Sequence, residues 1–106
     1  MSEKNRTHVF RPEEPPEHDG KSYPELTFRK MKAKDLVASD LVKGELRKSF
    51  AIFASMADVP IQVIEELDGD DFVRMGLEVA HLMGKSGKKA ADEAKAKLMG
   101  EAAGEA

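Results

Sequence analysis

Asp19-Gly20-Lys21-Ser22-Tyr23-Pro24-Glu25-Leu26-Thr27-Phe28-Arg29 runs almost directly into Lys32-Ala33-Lys34-Asp35-Leu36-Val37-Ala38, and the chain changes its repeat between the two. In the first stretch Leu26 and Phe28 alternate with Thr27 and Arg29. Side chains of an extended strand point to opposite faces in turn, so this alternation makes one face apolar and the other polar. Tyr23, Thr27 and Phe28 are residue types that suit a pleated surface. From Lys32 onward the apolar spacing is helical. A strand handing over to helices sets the fold class as α+β.

Outward toward the N-terminus, His8-Val9-Phe10 supplies a partner strand. We expect an N-terminal β-hairpin, with one strand near residues 8–11 and the other near 22–30. Asp19-Gly20 is a turn signal, because glycine takes positive φ without steric cost. Pro12, Pro15 and Pro16 remove backbone donors in between, and the connection is long for a hairpin. Pro24 belongs at an edge or at the start of a strand. Residues 1–7 are polar and expected to be disordered. No apolar run follows them, so they do not read as a secretory signal.

Outward toward the C-terminus, three to four short α-helices follow. Glu45 to Ala57 is the longest to begin with, and Leu46, Phe50, Phe53 and Met56-Ala57 share one of its faces. Asp58-Val59-Pro60 ends it and starts another, whose apolar residues are Ile61, Ile64 and Leu67. Asp68 caps the next helix, and Asp70 and Asp71 suit the positive end of its dipole. Phe72, Met75-Gly76, Val79 and Leu82-Met83 form its face, and Gly84 is its expected stop. The sequence thus divides into a domain over 8–84 and a Lys/Ala/Glu-rich tail over 85–106, flexible or partly helical. Leu98 and Met99 are the tail's large apolar residues, too few to bury much.

The 106 residues suit one small domain, 41% hydrophobic, which leaves a modest core and favours oligomers or a partner. The 17 basic and 20 acidic residues are interspersed with no basic stripe, so the footprint of nucleic-acid binding is missing. No stretch approaches the roughly 20 apolar residues of a membrane span. With no cysteine there is no disulfide, thiolate metal site or cysteine nucleophile, which fits a cytoplasmic protein.

Catalytic and ligand chemistry is poorly represented. Gly84-Lys85-Ser86 resembles the end of a phosphate-binding loop, but Val79 stands where the earlier glycine is needed. Asp68, Asp70 and Asp71 lack the spacing of a calcium loop and read better as a helix start. His8, His18 and His81 do not cluster in sequence, and Glu65 and Glu66 face solvent on a short helix. We therefore expect no cofactor, no metal and no catalysis. The candidate partner-binding residues are Phe53, Met56, Phe72, Met75, Leu82 and Met83, on apolar helix faces whose methionines adapt to varied partners. The same residues also read as the core that holds the helices together, Phe53 and Phe72 above all.

The ordered set of motifs resembles the tail assembly chaperones of Mu-like contractile-tailed phages. The carriers are Asp19-Gly20, Tyr23, Glu25-Leu26-Thr27-Phe28-Arg29, Lys34-Asp35-Leu36, Phe50 to Ala57, Pro60 to Leu67, and Asp68, Asp71 and Phe72. The resemblance implies a non-enzymatic chaperone that binds the tape-measure protein and keeps it soluble until the tail tube forms around it. It also implies contacts with tail tube subunits, a longer frameshifted form, action in the cytoplasm of the bacterial host, and absence from the mature virion. An exposed hairpin edge adds an expectation of homo-oligomers. The rival reading is a small helical regulatory or nucleic-acid-binding domain, for which Arg47 and Lys48 speak and the acidic balance does not.

Overall fold

A four-residue strand pair carries the helices. The computed structural model describes residues 7–84; the expected N-terminal disorder up to Arg6 and the tail over 85–106 lie outside them. Strand β1 (Thr7–Phe10) pairs antiparallel with β4 (Leu26–Arg29), Thr7 opposite Arg29 and Phe10 opposite Leu26. The strand therefore starts at Thr7, one residue inside the segment expected to be disordered. The period-two pattern fixes this register: Phe10, Leu26 and Phe28 are buried together, and a one-residue slip of either strand would turn that strand's buried residues into water.

The long connection is a second, smaller hairpin. Strands β2 (Glu17–His18) and β3 (Lys21–Ser22) pair across Asp19 and Gly20, whose φ values are 59° and 79°. Two consecutive positive φ angles give the turn whose twist matches that of the flanking strands. Tyr23 N–H donates to Pro16 C=O at 2.9 Å and closes the small hairpin behind it. Pro24 falls between strands, where no ladder donor is needed.

Helix α1 (Ala33–Ala38) continues into a 3-10 turn over Ser39–Leu41. Helix α2 (Glu45–Ala57) ends on Asp58 in the left-handed region at φ 57°, with Val59 N–H returning to Ala54 C=O at 3.0 Å. Helix α3 (Ile61–Glu65) follows Pro60. Helix α4 (Gly69–Val79) is capped by Asp68, whose carboxylate accepts from Asp70 N–H at 3.1 Å. Helix α4 ends at Val79, earlier than the expected stop, and tightens into a 3-10 turn over Ala80–Leu82 before Gly84 at φ 67°. Met31 N–H then donates to Leu82 C=O at 2.8 Å, tying the end of the hairpin to the end of the fold.

The core sits between the hairpin and helices α2, α3 and α4. Phe53 stands at its centre, edge to face with Phe28 at 6.3 Å and with Phe72 at 5.7 Å. Phe50 closes on Phe72 at 5.0 Å. Each such pair adds about 0.5–1.5 kcal/mol beyond the area it buries.

Candidate functional site

Phe53, Met56, Phe72, Met75, Leu82 and Met83 all lie in the core, none more than 6% exposed. The apolar faces of α2 and α4 are covered by the hairpin and by one another. The sequence offers the six both as a partner surface and as the core, and the folded chain has all six inside. Their flexibility fills the interior of a small domain.

The exposed apolar side chains lie elsewhere, and most of them are close in sequence. Leu36, Val37 and Leu41 are 41%, 61% and 83% exposed. They belong to α1 and the 3-10 turn that follows it. Beside them runs an open groove of about 290 Å³. Ala38, Leu41 and Val42 form one wall, Ala51, Ala54 and Ser55 of α2 the other, and Val59 and Ile61 close the end. Small residues on α2 make the groove, because alanine leaves room that a leucine would fill. Sequence reasoning missed Leu41. The available signal was that Leu36, Val37, Leu41 and Val42 are more apolar than one short helix can bury.

A buried ion pair holds this wall in place. Asp35 is fully buried at the start of α1. Its carboxylate accepts from Arg29 Nη1 at 2.9 Å and Nη2 at 2.8 Å, a forked geometry, and from Lys32 N–H at 2.6 Å. Ser55 Oγ donates to the same carboxylate, and Arg29 Nη2 also donates to Ser55 C=O at 3.0 Å. Burial alone would push the Asp35 carboxyl up. The bonds from Arg29, Ser55 and the Lys32 backbone outweigh it and bring it down to about 2. The hydrogen bond to Asp35 in turn raises Arg29 above its usual value. Strand β4, helix α1 and the groove-lining Ser55 are thereby locked together.

A second anchor joins the proline-rich loop to α4. Asp71 accepts from Glu13 N–H at 3.2 Å, Glu14 N–H at 3.1 Å and Arg74 Nη2 at 3.2 Å, pinning the proline-rich loop to α4. Burial opposes its charge and these donors prevail, so its carboxyl is lowered. The histidines separate into two places. His8 and His81 meet edge to face at 5.9 Å, with His8 Nε2 at 2.8 Å from Glu78 Oε1, whereas His18 lies in β2. The hydrogen bond to His8 lowers the Glu78 carboxyl, helped by Arg74 against burial. Glu65 pairs with Arg47 at 2.9 Å, and Glu66 is exposed. Among the described residues no three His, Asp or Glu side chains gather as a metal site. No described helix is long and apolar enough to cross a membrane.

A family model described as "Phage tail assembly chaperone proteins, E, or 41 or 14" matches residues 9–84. The chain belongs to this family of phage tail assembly chaperones. The match runs from β1 to Gly84 and so spans the hairpin, all four helices and the groove. Comparison with curated proteins and with solved structures gives no significant match.

Proposed function

We propose that this tail assembly chaperone binds the tape-measure protein through the groove between α1 and α2 and keeps it soluble before the tail tube polymerises, without catalysing a reaction. The observation that carries the reading is Leu41, 83% exposed beside an apolar groove in a member of this family. A helix laid into such a groove uses side chains three and four residues apart. Covering Leu41, Val37 and Leu36 gains about 1.5–3 kcal/mol for each side chain fully buried, before the costs of association are met. A single site is thus weak and easily released, which suits a protein that leaves before the tube is complete. Several copies along one long partner would supply the missing affinity. On the same reading the protein acts in the bacterial cytoplasm, meets tail tube subunits and a longer frameshifted form of itself, and is absent from the virion.

Co-expression with the tape-measure protein, followed by size-exclusion chromatography, tests the proposal. The expected result is a shared peak, with the tape-measure protein insoluble alone, and loss of that peak for Leu41→Asp at unchanged circular dichroism. A tape-measure protein that stays insoluble in the presence of the wild-type chain refutes it.

A further inference from the structure

The outer wall of the groove is fastened at its two ends and lightly held between them. Leu36 to Lys43 complete α1 and its 3-10 turn, and none of these eight side chains is buried. Ala38, Ser39 and Val42 are half-buried and the rest are exposed. Among the described residues none of the eight forms an ion pair. The hydrogen bond of Ser39 Oγ, to Leu36 C=O at 2.6 Å, stays inside the segment. No backbone hydrogen bond runs from the segment to the hairpin, α2, α3 or α4.

The ends are different. Asp35, directly before the segment, is fully buried and takes both Arg29 Nη atoms, the Lys32 N–H and the Ser55 hydroxyl. Gly44, directly after it, turns the chain at φ 93°, and its carbonyl accepts from Lys48 N–H at 3.0 Å in the first turn of α2. A stretch with few buried apolar contacts and few bonds to its surroundings opens at a fraction of the cost of unfolding the whole domain. Residues at the ends of elements absorb the backbone rotation of such a movement, and glycine does so with least strain. The segment is also apolar where it meets water, at Leu36, Val37 and Leu41. Loose attachment, fixed ends and an apolar surface beside a groove occur together in one stretch.

We propose that Leu36–Lys43 is a strap that lifts and settles as one unit between Asp35 and Gly44, and that it closes over the helix docked in the groove. The closing half rests on the docking reading above. The lifted strap widens the groove between Ala38 and Val42 on one side and Ala51 and Ala54 on the other. The closed strap lays Val37 and Leu41 on the apolar stripe of the docked helix. The bonds of Asp35 keep β4, the start of α1 and Ser55 in place throughout, so the strap moves without unfolding the core. A docked helix favours the closed position because only there does it meet the strap's apolar side chains.

Native-state hydrogen exchange, followed by NMR on the full chain alone, tests the strap. The amides of Val37 to Val42 are expected to share one opening, roughly a hundredfold or more faster than those of Phe53 in α2 and Met75 in α4, and to respond little to urea. The Lys32 amide, held by Asp35, is expected to exchange with the core. Val79→Ala separates a strap from a weak domain, because Val79 is fully buried in α4 and stays packed when the strap lifts. This variant is expected to speed Phe53 and Met75 roughly tenfold or more and to leave the strap amides unchanged. Strap amides that exchange as slowly as Phe53, that speed up together with it in Val79→Ala, or that open together with Lys32 overturn the proposal. In the co-purified complex with the tape-measure protein the strap amides are expected to slow roughly tenfold or more. A complex that forms with the strap rates unchanged overturns the closing. The docking reading fails separately: if the tape-measure protein never co-elutes with the wild-type chain, docking and closing fall together, and the rates of the chain alone decide whether the strap lifts.

Discussion

Replacing Asp35 by asparagine keeps the shape of the side chain and removes its charge. Two routes lead to the cost. The carboxyl sits at about 2 in the folded chain, against about 3.9 for an ordinary aspartate. At about 1.4 kcal/mol per pKa unit, that depression is worth roughly 2–3 kcal/mol of folding stability at neutral pH. By the second route, breaking a buried ion pair costs about 3–5 kcal/mol, and the low end applies because the Arg29 side chain remains 30% exposed to water. Both point to about 3 kcal/mol, a large part of the stability of a small domain. The expected drop in Tm is on the order of 10–20 °C, followed by far-UV circular dichroism, with urea titration giving the free energy. The pH dependence checks the cause. Asp35 has a depressed pKa when folded, so its contribution is full above the unfolded value near 4 and is lost as pH falls toward about 2. Wild type and Asp35→Asn should therefore differ at pH 7 and converge in acid. A second variant, Arg29→Met/Asp35→Leu, replaces the pair by apolar side chains and is expected to regain most of the loss. An Asp35→Asn protein within about 0.5 kcal/mol of wild type at pH 7, or a gap unchanged near pH 2, refutes the reasoning.

Two further substitutions separate interior from surface and loop from core. Met75→Glu places a charge at a fully buried position and is expected to cost more than about 4 kcal/mol, seen as loss of helical circular dichroism, whereas Leu41→Asp keeps the fold. A folded Met75→Glu protein with selectively lost partner binding would return Met75 to the surface. Asp71→Asn weakens the hold on Glu13 and Glu14 at an expected cost of about 1–3 kcal/mol, and a Glu-specific protease should cut residues 13–14 faster. Because the Asp71 carboxyl is lowered in the fold, that difference is present above the ordinary carboxylate range and disappears as pH falls through the depressed value.

The sequence by itself determined the elements and their order. Alternation at Leu26 and Phe28 carries the strand and its inward face, since only one register buries both side chains with Phe10. The three- and four-residue spacing from Leu46 to Ala57 carries α2, and Asp68 carries the start of α4, because these signals are local. The Asp19-Gly20 turn was legible, but the small hairpin around it was hidden by prolines that suggested a plain loop. The tertiary structure alone decided which apolar faces were left over. Periodicity says that a helix has an apolar face and not what covers it. The hairpin took the faces of α2 and α4, burying Phe53, Met75 and Met83, and left Leu36, Val37 and Leu41 of the shorter α1 segment uncovered. The anchor of that segment was equally out of reach: Asp35 is decided by Arg29 and by Ser55, twenty residues on, and no local pattern reports a partner across such a separation.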